Sequence, residues 1–282
     1  MSTIKTFIKR HPVLTYFALT FAISWGGVIL VMSSYGGIPA TKEKFAAQLP
    51  VAILTMLGGP SFAGLLMTGL VNGRAGFRDL LSRLLKWRVS FQWYAIALLT
   101  GPLVLMATLL ALSLTSPVYL PGIFTTDDIA SRLLFGIVAG LAVGFFEELG
   151  WTGFAVPKLR LRYSILTTGL IVGVLWGAWH IMGQVVMASG TYSGELPLQV
   201  FLIANTVGLL IGQLPAFRIL TVWVYDRTGS LLVAMLMHVT YTAATMSFEP
   251  LQISGVPLFI YGWVSAAVMW VIAIAVVRRQ MA

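Results

Sequence analysis

The chain has 282 residues, of which 58% are hydrophobic and only 10% charged, and its mean hydropathy is +0.91. That composition excludes an ordinary soluble domain and describes a chain built for lipid. Eighteen Lys and Arg against nine Asp and Glu give a formal charge of +9, and the lack of cysteine excludes disulfides, thiolate metal ligation and a Cys nucleophile together.

A helix needs about 20 mostly apolar residues to cross the hydrocarbon core. In chain order, eight stretches meet that need: 12–32, 49–71, 91–115, 133–154, 164–188, 198–217, 229–247 and 254–277. The fourth carries an acid pair, and the sixth is interrupted by Gln213 and Pro215. The first stretch is longer than the 7–15 residue apolar region of a signal peptide, so it reads as an uncleaved anchor. The expectation is an all-α polytopic membrane protein with about eight transmembrane helices, forming a single membrane domain over 1–282.

The basic excess reads as topology. With the N-terminus (Lys5, Lys9, Arg10) cytoplasmic, alternate loops place Arg74, Arg78, Arg83, Lys86, Arg88, then Lys158, Arg160, Arg162, then Arg218, Arg227, then Arg278, Arg279 on one side. That side holds 15 of the 18 basic residues, as the positive-inside rule asks. Both termini are expected in the cytoplasm, in the plasma membrane of a bacterium. Topology accounts for the charge, so no nucleic-acid partner is needed. The C-terminal Arg278-Arg279-Gln280-Met281-Ala282 lacks a prenylatable Cys.

Small residues suggest how spans pack. Gly140 and Gly144 in the fourth and Gly169, Gly173 and Gly177 in the fifth recur every four residues, a spacing that lets helix backbones approach closely. These two spans are expected to lie side by side, bringing Glu147, Glu148 and His180 within reach of one another.

Ionisable groups inside spans cost about 2.5–3.5 kcal/mol at the bilayer centre and usually line a cavity or pair together. The candidates are Glu147 and Glu148 in the fourth span, His180 in the fifth, Asn205 in the sixth and His238 in the seventh. A lone His here is more often a satisfied core residue; four such groups in three helices favour a site. Neighbouring helix positions diverge by about 100°, so one acid can face a cavity while the other braces a neighbouring helix. Trp151 and Thr152 stand one turn beyond Glu147 and Glu148. A buried Glu is a candidate general base. Two neutral imidazoles supply metal ligands or donors to an oxyanion. No nucleophilic-Ser motif, phosphate loop or HExxH helix is present. Hydrolase and proton-coupled transporter both remain open on this chemistry. A transporter would be expected to show inverted repeats, and the spans of the first half lack acids and bases.

The stretch Glu147-Glu148-Leu149-Gly150-Trp151-Thr152-Gly153-Phe154, with Pro157 and Leu159, resembles the first motif of the CPBP (CaaX-processing and bacteriocin-processing, or Abi) intramembrane proteases. Leu175-Trp176-Gly177-Ala178-Trp179-His180 resembles their second, and the run from Trp223 to His238 the approach to their last. The resemblance implies an intramembrane endopeptidase acting on a membrane-associated peptide or protein, with 130–245 as its catalytic core. In it Glu147 activates water, Glu148 supports the site, and His180 and His238 complete it in a cavity opening toward the cytoplasm. Trp151, Trp176, Asn205, Thr152 and Thr242 are auxiliary. A divalent metal such as zinc is a possible cofactor, with Glu147, His180 and His238 as candidate ligands. Thr152 and Thr242 stand where the family usually has Arg and Asn or Asp, which is expected to leave Glu148 without its usual cation. The alternative is a degenerate member kept for bacteriocin immunity or scaffolding.

Overall fold

Hydrocarbon offers no partner to a backbone N–H or C=O, so a chain this apolar must satisfy its own amides, and helices do so locally. The computed structural model describes residues 2–33, 42–192 and 194–281; Met1 and Ala282, the last residue of the C-terminal run read above, lie outside them. The helices are α1 (Ser2–Arg10), α2 (Pro12–Ser33), α3 (Lys42–Leu84), α4 (Phe91–Ser113), α5 (Gly122–Thr125), α6 (Ile129–Gly150), α7 (Val156–Arg160), α8 (Ile165–Thr191), α9 (Leu198–Ile211), α10 (Gln213–Thr228), α11 (Leu231–Phe248) and α12 (Gly255–Met281). Eight of the described helical stretches are long and apolar enough to cross a membrane, and they coincide with the eight expected. The protein is therefore an all-α, multi-pass integral membrane protein.

Three spans depart from their expected limits. The second continues to Leu84 through a kink at Gly73, whose φ of 59° a side chain would resist. The fourth continues through a π-helical turn, Trp151–Ala155, into α7. The sixth breaks at Gly212 instead of at Pro215. Pro215 lies in the first turn of α10, where its missing N–H would have had no intrahelical partner. The carbonyls freed at the break, those of Ile211 and Gly212, accept the Trp270 indole N–H at 3.0 Å.

That sixth stretch also corrects the charge assignment. Arg218 is not in a loop: it lies in the second turn of α10 and is fully buried. Fourteen basic residues remain on the face of the chain's ends.

The glycine faces do not meet each other as expected. Cβ atoms added at Gly136, Gly140 and Gly144 of α6 would strike Val239, Ala243 and Ser247 of α11. Those added at Gly169 and Gly173 of α8 would strike Ile219 and Pro215 of α10, and that at Gly177 would strike Leu209 of α9. A small-residue row marks a close approach without naming the helix that makes it. The α6–α11 crossing is bolted at one end by Arg132, which donates to the carbonyls of Ser247 (2.6 Å) and Glu249. Asp128 caps α6 there by accepting from the Ser131 N–H at 3.0 Å, and the Ser131 hydrogen bonds hold its carboxyl below the usual range. At the opposite face, Ser230 caps α11 and donates to the Lys86 carbonyl at 2.6 Å, while Arg160 pairs with Asp226 at 2.7 Å.

Replacing Gly144 with Val should destabilise the protein by about 1–3 kcal/mol through overpacking, whereas Gly183→Ala, at a site with nothing within 4 Å of the added Cβ, should be near neutral. Equilibrium unfolding in detergent measures both, and equal stability of the two variants would refute the α6–α11 contact as a packing constraint.

Candidate active site

Where α6 gives way to the π turn, its last residues enter the core. Glu147 and Glu148 are 2% and 0% exposed, and Trp151 and Thr152 are fully buried. The π turn re-aims side chains that an α-helix would spread evenly. Its Gly153 carbonyl accepts from Arg83, which reaches in at 3.0 Å.

The two acids face different surroundings. Glu147 lines a cavity of about 450 Å³. Its Oε2 accepts the indole N–H of Trp176 at 2.6 Å and of Trp151 at 3.2 Å. Glu148 points instead into the helix packing. It accepts from Arg218 of α10 at 2.7 and 2.9 Å, meets His238 Nδ1 of α11 at 2.7 Å, and accepts the Thr152 hydroxyl. Glu148 thus has a cation after all. That cation comes from α10 and not from position 152, which corrects the expectation drawn from Thr152.

Trp176 is the hub of these contacts. Its edge-on neighbours are His180 and His238, with centroids at 5.2 and 5.1 Å. The Arg218 guanidinium lies 4.3 Å from its ring centroid, a cation–π arrangement. Trp176 therefore touches both acids' networks and both imidazoles.

Hydrogen bonding decides what the imidazoles can do. His180 Nδ1 lies 2.8 Å from the Trp176 carbonyl, which can only accept, so Nδ1 carries the hydrogen. His238 Nδ1 faces a carboxylate paired with Arg218, and the same reasoning applies. In the neutral ring each Nε2 then bears a lone pair. As neutral groups they accept from water or ligate a metal; they donate to an oxyanion only as imidazolium, which narrows the role open to them from sequence.

Imidazole lone pairs beside a carboxylate are a metal-type donor set. Among the described residues, however, no three His, Asp or Glu side chains are gathered around one point that could hold an ion. Glu147, His180 and His238 as arranged do not make a three-ligand site, and no step below passes through a metal.

The remaining candidates line the same cavity. Thr242 stands one turn beyond His238, and Asn205 donates to Gln184 Oε1 at 2.6 Å across the α8–α9 contact. Tyr241, Tyr261 and Glu249 also line it. Burial raises the Glu249 carboxyl above its usual range, with Arg132 opposing.

The cavity occupies one end of these helices. On α11 the lining residues begin at His238, about 10 Å beyond Leu231 at 1.5 Å per residue, and continue to Thr245 and Met246. On α12 they are Leu258–Trp263, near its start. The cavity therefore runs away from the face that holds the chain's two ends. Trp151, Phe154, Leu231 and Met235, on the stretches of the π turn and α11 nearer that face, are buried and do not line the cavity.

Sequence reasoning missed Arg218 and Gln184. Arg218 had a legible signal: it lies in the apolar run 214–225, a short way past a helix-starting Pro, where a charge has no reason to stand without a partner.

Residues 129–244, from the start of α6 almost to the end of α11, match the family described as type II CAAX prenyl endopeptidase Rce1-like. The chain is also 25% identical over 242 residues, 82% of each chain, to CAAX prenyl protease 2 of Methanococcus maripaludis. The motifs of residues 147–238 lie inside the matched segment, and the chain is similar to CAAX-processing intramembrane proteases.

Proposed function

We propose that the protein hydrolyses a peptide bond of a membrane-associated substrate in this cavity, with Glu147 activating the water. The observation that carries the reading is the setting of Glu147: a buried carboxylate on the cavity wall, one oxygen held by two indoles, the other left for a water. Glu147 takes a proton from the water as its oxygen attacks the carbonyl carbon. The water's other hydrogen is accepted by one imidazole Nε2 lone pair, that of His180 or of His238, which orients it. The Thr242 hydroxyl donates to the oxygen that becomes negative. Collapse of the tetrahedral intermediate breaks the C–N bond, and Glu147 returns its proton to the leaving amine.

The name of the archaeal relative makes prenylated CAAX peptides one substrate class to test. Charge bears on this choice. The face of the chain's ends carries fourteen basic residues and only Asp79 and Asp226 as acids, whereas the other carries Glu43, Asp127, Asp128, Glu195 and Glu249 against three bases. By the positive-inside rule the ends are cytoplasmic, so the cavity faces the outer half of the membrane. Peptides anchored in the membrane and exposed on its outer side would reach it directly.

Purified protein in lipid vesicles should cleave native membrane peptides, and Glu147→Gln or His180→Ala should reduce turnover by about 10²–10⁴-fold, the usual worth of a general base. Equal activity in wild type and both variants would end the enzymatic reading. Turnover should also survive chelation; its loss, with recovery on adding zinc, would assign the two Nε2 atoms to a metal.

The chain has no native cysteine, so single-cysteine labelling reads cleanly. Glu249→Cys should react with a membrane-impermeant thiol reagent on intact cells, and Arg279→Cys only after permeabilisation. The reverse pattern would place the cavity mouth in the cytoplasm.

A further inference from the structure

We propose that Arg218 is a positioning residue of the active site, acting through Glu148 to hold His238 in the tautomer that turns its Nε2 lone pair toward the substrate cavity. This rests on the peptidase reading for its kinetic consequences, though not for its geometric ones.

Arg218 does not line the cavity, so it does not touch the substrate. It is 0% exposed and lies within an apolar span, where a guanidinium needs a specific counter-charge. That counter-charge is Glu148, with both carboxylate oxygens within 2.9 Å of one guanidinium nitrogen. The ion pair makes Glu148 an acceptor only. An acceptor-only carboxylate 2.7 Å from His238 Nδ1 obliges that nitrogen to carry the hydrogen. Without Arg218, Glu148 would carry a proton rather than stand as a lone buried anion. A protonated carboxyl can donate to Nδ1, which moves the ring hydrogen to Nε2 and reverses what His238 offers the cavity. The guanidinium also lies 4.3 Å from the Trp176 ring centroid, and Trp176 itself holds Glu147. Arg218 thus connects to both acids, to one by charge and to the other through an indole.

Position 152 offers an internal control. Thr152 is buried one turn from Glu148 and already donates to it, so a guanidinium grafted there can reach the same carboxylate from α6 and restore the charge without restoring Arg218's packing.

The test compares wild type with Arg218→Met, Arg218→Lys and the relocation Arg218→Met with Thr152→Arg, all in lipid vesicles. Two readouts are taken: peptide-cleavage kinetics, and ¹⁵N resonances of histidine-labelled protein, whose three histidines are assigned by single replacement. Arg218→Met should lower kcat by about tenfold or more with KM within about twofold, a split expected where the ground state is not contacted. Its His238 should show the protonated and unprotonated ring nitrogens exchanged. Arg218→Lys should keep the wild-type ¹⁵N pattern with intermediate kcat, since charge is kept and the guanidinium's contact with Trp176 is lost. The relocated arginine should restore the ¹⁵N pattern and most of kcat. Should Arg218→Met fail to fold, the Lys and relocated variants carry the test: a wild-type ¹⁵N pattern in both supports the assignment. A wild-type ¹⁵N pattern or unchanged kcat in Arg218→Met, or a relocated charge that leaves the tautomer reversed, would overturn it. If the wild type cleaves no peptide, the peptidase reading fails, and the ¹⁵N arm still decides the role of Arg218.

Discussion

A carboxylate buried in hydrocarbon must find a positive charge and fill its remaining lone pairs, and the structure around residues 147–242 is organised by that demand on Glu148. Four helical elements answer it: α10 supplies Arg218, α11 supplies His238, the π turn supplies Thr152, and α6 carries the acid itself. Removing one partner of such a buried pair typically costs about 3–5 kcal/mol, because the other is left uncompensated. The pair therefore fixes which helices meet at this depth. Since His238 is one of its members, the same demand fixes the orientation of a ring that faces the cavity.

Packing makes that meeting possible. For Glu148 to reach α10 and α11, α6 must come close to α11, and its glycine row allows the approach, with Ala243 and Val239 filling the room left by absent side chains. At Gly150 the approach turns to α3 and α2, where a Cβ would strike the Pro60 carbonyl and the Tyr16 hydroxyl respectively. Irregular backbone is then tolerated only where a side chain completes its hydrogen bonding. Trp270 does this at the Gly212 break and Arg83 at the π turn. Both breaks lie beside the cavity or its acids, and both serve to aim side chains.

Much of the fold was legible because lipid imposes one strong rule on sequence: length and hydropathy place all eight spans. The acid pair and the two histidines were legible for the same reason, as charges or bases where water is absent. Three features escaped. Arg218 was counted with the loop cations because a positive-inside tally treats every Arg near a span end as a topological marker, and the span proved longer than its apolar core suggested. The glycine rows were read as facing each other, yet a smooth helix face carries no record of which neighbour fits it. The side toward which the cavity runs was hidden because it depends on which half of each helix retreats from the axis, and hydrophobic periodicity does not encode that depth.

The hydrogen-bond acceptors behind the imidazoles bear most directly on chemistry. A ring whose Nδ1–H is held by the Trp176 carbonyl, or by a carboxylate neutralised by Arg218, cannot itself stabilise a developing oxyanion while neutral. In the proposed hydrolysis the burden of donation would therefore fall on hydroxyls, and Thr242 stands a turn beyond His238 on the cavity wall. The neutral imidazoles are left to accept, which suits them to holding a water against Glu147. Division of labour between the two acids follows from the 100° between adjacent helix positions. Under the proposed reaction one acid is left to move a proton because the other is occupied by Arg218 and His238.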